Sequence, residues 1–147
     1  MTTSSFDIQT IITQAQKALH NAYNPYSRFG VGAALLCADG TIITGCNVEN
    51  ASYGATMCAE RVTFFKAISE GKRAFVAIAI VGSDGNFAYP CGMCRQVMSE
   101  FGLELQVIVA SNTEYKIHTL GELLPYAFTS FVASADTKKM QAASSLE

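Results

Sequence analysis

One stretch of the 147-residue chain, residues 74–81, is apolar without interruption and has the length of a strand. A strand that is apolar along its whole length is covered on both faces, so helices must lie on each side of its sheet. The stretch is far shorter than the ~20 residues that a membrane-spanning helix needs. It therefore predicts a three-layer α/β/α sandwich around a central sheet.

The sequence on either side of this run alternates between helical and strand-like patterns. These patterns predict helices over 6–20, 57–70 and 91–101, and strands over 29–37, 41–46 and 105–110. Ser4 or Ser5 is available as the N-cap of the first helix, and an Asp-Gly pair at residues 39–40 indicates a hairpin turn. A hairpin followed by a strand–helix–strand unit, with its right-handed crossover, gives a mixed sheet.

The chain is predicted to form one domain over residues 1–131, followed by a tail over 132–147 that is a short helix or disordered. The formal charge is −2, and there is no run of Lys or Arg. A protein that follows a polynucleotide backbone usually has a basic face, so we expect no nucleic-acid partner. The N-terminal residues lack the pattern of a signal peptide, so we expect a cytoplasmic protein with no membrane partner.

Three cysteines have the spacing of metal ligands. Cys91 and Cys94 are three positions apart at a predicted helix start, where both thiols can reach one metal ion. A Cys-x-x-Cys pair alone also fits a redox dithiol, but Cys58 upstream offers a third thiol. Three protein ligands leave the fourth tetrahedral position open for water, as in catalytic zinc sites. We therefore predict one Zn²⁺ held by these cysteines.

Glu60 stands two residues after the first of these cysteines. Cys-x-Glu followed by Pro-Cys-x-x-Cys is the three-cysteine signature of zinc deaminases, in which the glutamate moves protons and is not a ligand. Three thiolates carry more negative charge than Zn²⁺ neutralises, so a positive group should lie nearby. Arg61 is three residues from Cys58 and could bond to its sulfur, although a surface salt bridge would also explain it. Gln96, just after the second motif, is a further candidate to support the ligands.

With these motifs the chain resembles the small homotetrameric cytidine deaminases. The resemblance extends from about Tyr26 to Phe128 and rests on five ordered motifs. They are residues 25–34, 45–53, 58–61, 90–96 and 123–128.

The resemblance implies hydrolytic deamination of cytidine and deoxycytidine to uridine and deoxyuridine, with release of ammonia, in pyrimidine salvage. It also implies a sheet of about five strands, one zinc ion per subunit and a homo-oligomer, a tetramer, with shared active sites. The implied substrate-binding residues are Asn47 and Glu49 at the ribose hydroxyls, Phe29 and Ala59 at the base, and Tyr53 and Phe128 across subunit boundaries.

Three alternatives remain open from the sequence. A related deaminase could act on another cytosine-bearing compound, as blasticidin-type enzymes do. A structural zinc module would use the same cysteines with a fourth protein ligand and would not need Glu60. A redox dithiol would use Cys91 and Cys94 without metal. The ribose-binding pair also fits turn chemistry and an exposed charge, and the two phenylalanines fit core aromatics.

Overall fold

The computed structural model describes residues 6–130. Within this range the chain forms four α-helices and five β-strands. In chain order they are α1 (Ile8–Leu19), β1 (Val31–Cys37), β2 (Ile42–Cys46), α2 (Ala59–Ser69), β3 (Phe75–Gly82), α3 (Gly92–Ser99), β4 (Gln106–Ala110), β5 (Tyr115–Thr119) and α4 (Leu120–Leu123).

The strands form one mixed sheet in the order β2-β1-β3-β4-β5. The β3–β4 pair is parallel and the other three pairs are antiparallel. The predicted apolar run is β3, at the centre of the sheet. Its register aligns Ala79 with Ala34 of β1 and with Ile108 of β4. The hairpin and the parallel crossover unit predicted from the sequence are therefore both present.

The two faces of the sheet bury separate cores. Ala77 and Ala79 of β3 face α1, whereas Ile78 and Ile80 between them pack on the side of α2 and α3. Both sets are fully buried, because successive side chains of a strand point to opposite faces. The predicted three-layer α/β/α sandwich is thus confirmed.

Two glycines allow helices to approach the sheet closely. A Cβ at Gly32 of β1 would lie 2.7 Å from the backbone nitrogen of Leu19 in α1. A Cβ at Gly45 of β2 would lie 2.9 Å from the backbone nitrogen of Thr63 in α2. Backbone atoms cannot yield as a flexible side chain does, so these positions fix α1 and α2 against opposite faces of the sheet.

The structure departs from the predicted elements in three places. Asp7, and not Ser4 or Ser5, is the N-cap of α1, because its carboxylate accepts a bond of 3.0 Å from the backbone N–H of Gln9. Cys58 precedes α2 as its N-cap and does not lie inside the helix. The element prediction also omitted β5 and α4.

The predicted tail over 132–147 lies outside the described residues. Within residues 6–130, every helix is too short or too polar to cross a membrane.

Candidate active site

Three thiols converge where α2 and α3 begin. Cys58 is the N-cap of α2, Cys91 is the N-cap of α3, and Cys94 lies in the first turn of α3. The Sγ of Cys91 lies 3.8 Å from the Sγ of Cys58 and 3.5 Å from that of Cys94. All three sulfur atoms lie within 4.8 Å of one another. Two helix N-termini therefore meet at one cluster of sulfur atoms.

The sulfur cluster has the dimensions of a zinc site. Four ligands at 2.3 Å from a tetrahedral zinc would be separated by about 3.8 Å, which is close to the two measured sulfur separations. The pKa of Cys58 is lowered to about 5 by its hydrogen bonds with Cys94 and Arg61. The pKa of Cys94 is raised by its bond to Cys58 and by burial. Such opposed shifts are expected of thiols that can ionise together only around a cation.

Short backbone bridges hold Cys58 in place. Val48 and Met57 exchange two hydrogen bonds of 2.9 Å, which bring the segment after β2 next to the residue before Cys58. Tyr23 donates to the carbonyl of Asn47 at 3.0 Å, so the loop after α1 joins the same arrangement. The residues on either side of Val48 are thereby brought beside the metal ligand.

Glu60 lies in the first turn of α2 and is only 5% exposed. Burial, assisted by the charge of Cys58, raises the pKa of its carboxyl to about 7. A carboxyl with a pKa near the ambient pH can both accept and donate a proton. Glu60 lines the same pocket as Cys58 and Cys91, so such a proton donor and acceptor lies beside the sulfur cluster.

Arg61 points back toward the start of its own helix. Its Nη2 donates to the Sγ of Cys58 at 3.5 Å, and this bond raises the pKa of the guanidinium. Its Nε is buried without a hydrogen-bond partner among the described residues. The sequence-based expectation that Arg61 contacts a ligand sulfur agrees with this geometry.

Asn47 and Glu49 lie just beyond the end of β2. Asn47 is 8% exposed; its Oδ1 accepts from the N–H of Val31 at 2.8 Å, and its Nδ2 donates to the carbonyl of Phe29 at 2.9 Å. Oε1 of Glu49 accepts from the backbone N–H groups of Tyr26 and Ser27 at 3.0 and 3.1 Å. Bonds from Ser27 and Tyr26 hold the pKa of Glu49 below its usual value. Both side chains therefore also fix the segment that carries Phe29.

A pocket of about 290 Å³ joins these groups. Seven of the residues predicted from the sequence line it: Phe29, Asn47, Glu49, Cys58, Ala59, Glu60 and Cys91. Five lining residues were not among the sequence-based candidates: Ser27, Val31, Thr56, Ala88 and Tyr89. Thr56 lies two residues before Cys58, and Tyr89 lies two residues before Cys91. This closeness to the cysteines is the sequence feature that could have identified them as pocket residues.

The remaining candidates lie outside the pocket. Gln96 was expected to support the metal ligands, but its Nε2 donates to the backbone carbonyl of Phe128 at 2.8 Å. The side chain of Phe128 is 66% exposed, and that of Tyr53 is 75% exposed and stacks edge-on against Tyr26. Gln96 thus contacts the segment after α4. A residue that acts on a neighbouring subunit would have an exposed side chain, as Tyr53 and Phe128 do.

Residues 6–110 match the family model described as the cytidine and deoxycytidylate deaminase zinc-binding region. A cytidine deaminase of Halalkalibacterium halodurans is 52% identical over 84% of this chain and 95% of its own length. One from Sporosarcina psychrophila is 47% identical over 84% of this chain and 92% of its own length. The crystal structure of cytidine deaminase from Burkholderia pseudomallei, at 46% identity, superposes with a TM-score of 0.81 over 84% of this chain and all of that one.

The matched region includes every residue of the thiol cluster, Glu60 and the segment after β2. The identities extend over nearly the full length of these relatives, and the fold agrees with a solved member. The chain therefore belongs to the cytidine deaminase family.

Proposed function

We propose that the protein is a zinc-dependent cytidine deaminase that converts cytidine and deoxycytidine to uridine and deoxyuridine, with release of ammonia, in pyrimidine salvage. One observation supports this most directly. A single pocket of about 290 Å³ is lined by Cys58, Cys91 and the buried Glu60 and also by the polar side chains of Asn47 and Glu49. A nucleoside has the matching polarity, with an amino-bearing ring at one end and hydroxyl groups at the other.

Cys58, Cys91 and Cys94 would hold the zinc ion, which when bound lowers the pKa of water and so supplies a nucleophile near neutral pH. Glu60 accepts the proton that water loses as its oxygen attacks C4 of the base. It delivers that proton to the ring nitrogen N3, then takes the proton of the new C4 hydroxyl and passes it to the amino group, which leaves as ammonia as the C4 carbonyl forms. Water and cytidine are consumed, and uridine and ammonia are formed, so the atoms balance.

The substrate-binding roles follow the shape of the pocket. We assign the ribose hydroxyls to Asn47 and Glu49, because an amide and a carboxylate that line a pocket discriminate against a ligand that cannot hydrogen-bond to them. Phe29 would pack against the pyrimidine, and the backbone at the fully buried Ala59 would contact its polar edge. Oε1 of Glu49 already binds two backbone N–H groups, which orients the carboxylate before substrate arrives.

We further propose a homotetramer with shared active sites. Tyr53, Tyr126 and Phe128 are exposed, and large exposed apolar patches mark surfaces that bind other proteins. A sedimentation-velocity experiment over a range of concentrations, with activity measured at each, tests this. Full activity in a monomeric fraction would refute the shared site.

A cytoplasmic location is consistent with the thiol chemistry. All five cysteines are free, and three of them must stay reduced to bind metal. The cytosol keeps thiols reduced, whereas secreted proteins form disulfides. Fractionation of cells that produce the tagged protein would test this location.

The central experiment measures zinc content and cytidine turnover on the same purified samples. Glu60→Gln should keep stoichiometric zinc and the fold while turnover falls by about 10²–10⁴-fold. Glu70→Gln is the matched control, because Glu70 is the C-cap of the same helix and is exposed. Turnover that survives Glu60→Gln would refute the proton-transfer role.

The same samples separate the alternatives. A structural zinc module would bind zinc but show no turnover in the wild-type protein. A deaminase of another cytosine compound would hydrolyse that compound and leave cytidine unchanged. A redox dithiol would cycle between thiol and disulfide in a metal-free sample. Turnover of cytidine that depends on zinc excludes all three.

A further inference from the structure

The segment between β3 and α3 contributes one side of the pocket through Ala88 and Tyr89. Tyr89 is 43% exposed, and it stands between the pocket and strand β5. It precedes Cys91 by two residues and lines the same pocket, so we place it near the reacting carbon. Asn47 and Glu49, which we assign to the ribose, line the pocket from the segment after β2.

Strand β5 directs two polar side chains toward this segment. In the β4–β5 register, His118 pairs with Val107 and Lys116 pairs with Val109. Directly paired residues of neighbouring strands point to the same face of a sheet. Both valines belong to the core on the α2 and α3 side, so His118 and Lys116 project on the face that carries the active site.

Each of these side chains contacts an aromatic ring of the segment. Nε2 of His118 lies 3.3 Å from the hydroxyl oxygen of Tyr89, and the two ring centroids are 5.6 Å apart. Nζ of Lys116 lies 4.4 Å from the centroid of Phe87. Phe87 and Tyr89 are themselves 6.5 Å apart between centroids. Two alternate residues of β5 therefore contact two alternate residues of the segment: Lys116 contacts Phe87, and His118 contacts Tyr89.

We propose that Tyr89 is a specificity-determining residue that closes the pocket around the pyrimidine, and that His118 is a positioning residue that fixes the Tyr89 ring. This inference rests on the proposed function, because it takes the ligand to be a pyrimidine nucleoside. Carbon 5 of the base adjoins the reacting C4, so a substituent there occupies the end of the pocket that Tyr89 bounds. The ring then limits the size of that substituent.

The first test compares cytidine with 5-methylcytidine. Tyr89→Ala should raise the kcat/KM ratio of 5-methylcytidine to cytidine by about 10-fold or more, the discrimination that one methyl group typically gives in an apolar pocket. Tyr89→Phe keeps the ring and should leave that ratio within about twofold of the wild type. A ratio unchanged in Tyr89→Ala would overturn the specificity role.

The second test separates positioning from general stability. His118→Leu should raise KM for cytidine by about 2- to 13-fold, the loss expected for one hydrogen bond, while kcat changes little. His118→Gln keeps a hydrogen-bonding group and should restore most of the wild-type KM. His20→Gln is the control, since His20 is the C-cap of α1. An equal KM in His118→Leu and wild type, or no rescue by glutamine, would overturn the positioning role.

A readout without turnover uses the two histidines of the chain. In a ¹H–¹⁵N spectrum of the imidazoles, Tyr89→Phe and saturating uridine should each move the His118 signal and leave the His20 signal in place. A His118 signal that responds to neither would overturn the inference. Failure of the zinc-loaded wild-type protein to deaminate cytidine would instead refute the proposed function, so the two failures are distinguishable.

Discussion

Gly82, the last residue of β3, lies beneath two residues of the pocket. A Cβ built there would lie 3.0 Å from Cζ of Phe29 and 3.2 Å from Cβ of Ala88. Carbon atoms attract best at about 3.5–4.0 Å, so Gly82→Ala must move one neighbour by roughly 0.5 Å or more. The Phe29 ring is 37% exposed and is the side chain that can move.

Displacement of this ring should weaken substrate binding as well as the fold. Well-oriented aromatic pairs contribute about 0.5–1.5 kcal/mol, so loss of the contact with the base should raise KM by about 2- to 13-fold. The free energy of unfolding should fall by about 1–3 kcal/mol at most, the usual cost of an extra methyl group. We expect kcat to stay near the wild-type value, because Gly82 does not contact Glu60.

The assay measures KM and kcat by the loss of cytidine absorbance, with urea unfolding of the same samples. Gly121→Ala is the control, because a Cβ there meets Leu103 at an ordinary 3.6 Å. In Phe29→Ala the additional Gly82→Ala change should have little further effect on KM, since the displaced ring is gone. An unchanged KM in Gly82→Ala, or full additivity of the two changes, would refute the reasoning.

Three further changes test the fold and the metal site. Arg61→Ala removes the bond to a ligand sulfur and should weaken zinc affinity by about 10- to 100-fold in a chelator competition; equal affinity would contradict this. Gly45→Ala would place a Cβ 2.5 Å from Oγ1 of Thr63 and should lower the free energy of unfolding by about 1–3 kcal/mol in urea. Lys72 lowers the pKa of Asp39 to about 2, so Asp39→Asn should be less stable than wild type at pH 6. That difference in stability should vanish as the pH falls from about 4, the pKa of Asp39 in the unfolded chain, to about 2, its pKa in the folded chain.

Most of the fold could be predicted because its elements have strong local patterns. The predicted strand over 105–110 is β4 at Gln106–Ala110, and the predicted helix over 57–70 is α2 at Ala59–Ser69. The strand β5 was missed because its residues are mostly polar and exposed, as suits an edge strand that pairs with β4 alone. Such a strand is defined by its partner, and local sequence carries little of that information.

The metal ligands and Glu60 could be identified because their spacing along the chain is itself the motif. The contact between Tyr89 and His118 could not, since it joins residues 29 positions apart through β5. His118 lies in none of the five motifs of the sequence. Gln96 follows a ligand in sequence, yet its helical position turns its amide to Phe128. Proximity in sequence indicated Arg61, which contacts Cys58, whereas the contact of Gln96 with Phe128 could not be read from it.

The N-cap positions of two cysteines bear on the charge of the site. Neither Cys58 nor Cys91 uses its side chain to cap the helix that follows it, so the positive ends of α2 and α3 remain directed at the sulfur atoms. Each helix end is equivalent to about half a positive charge, and Arg61 adds a full one. Together they exceed the roughly single negative charge left when three thiolates bind Zn²⁺. Loss of Arg61 alone should therefore weaken the metal site without abolishing it, because the two helix ends still offset most of the excess.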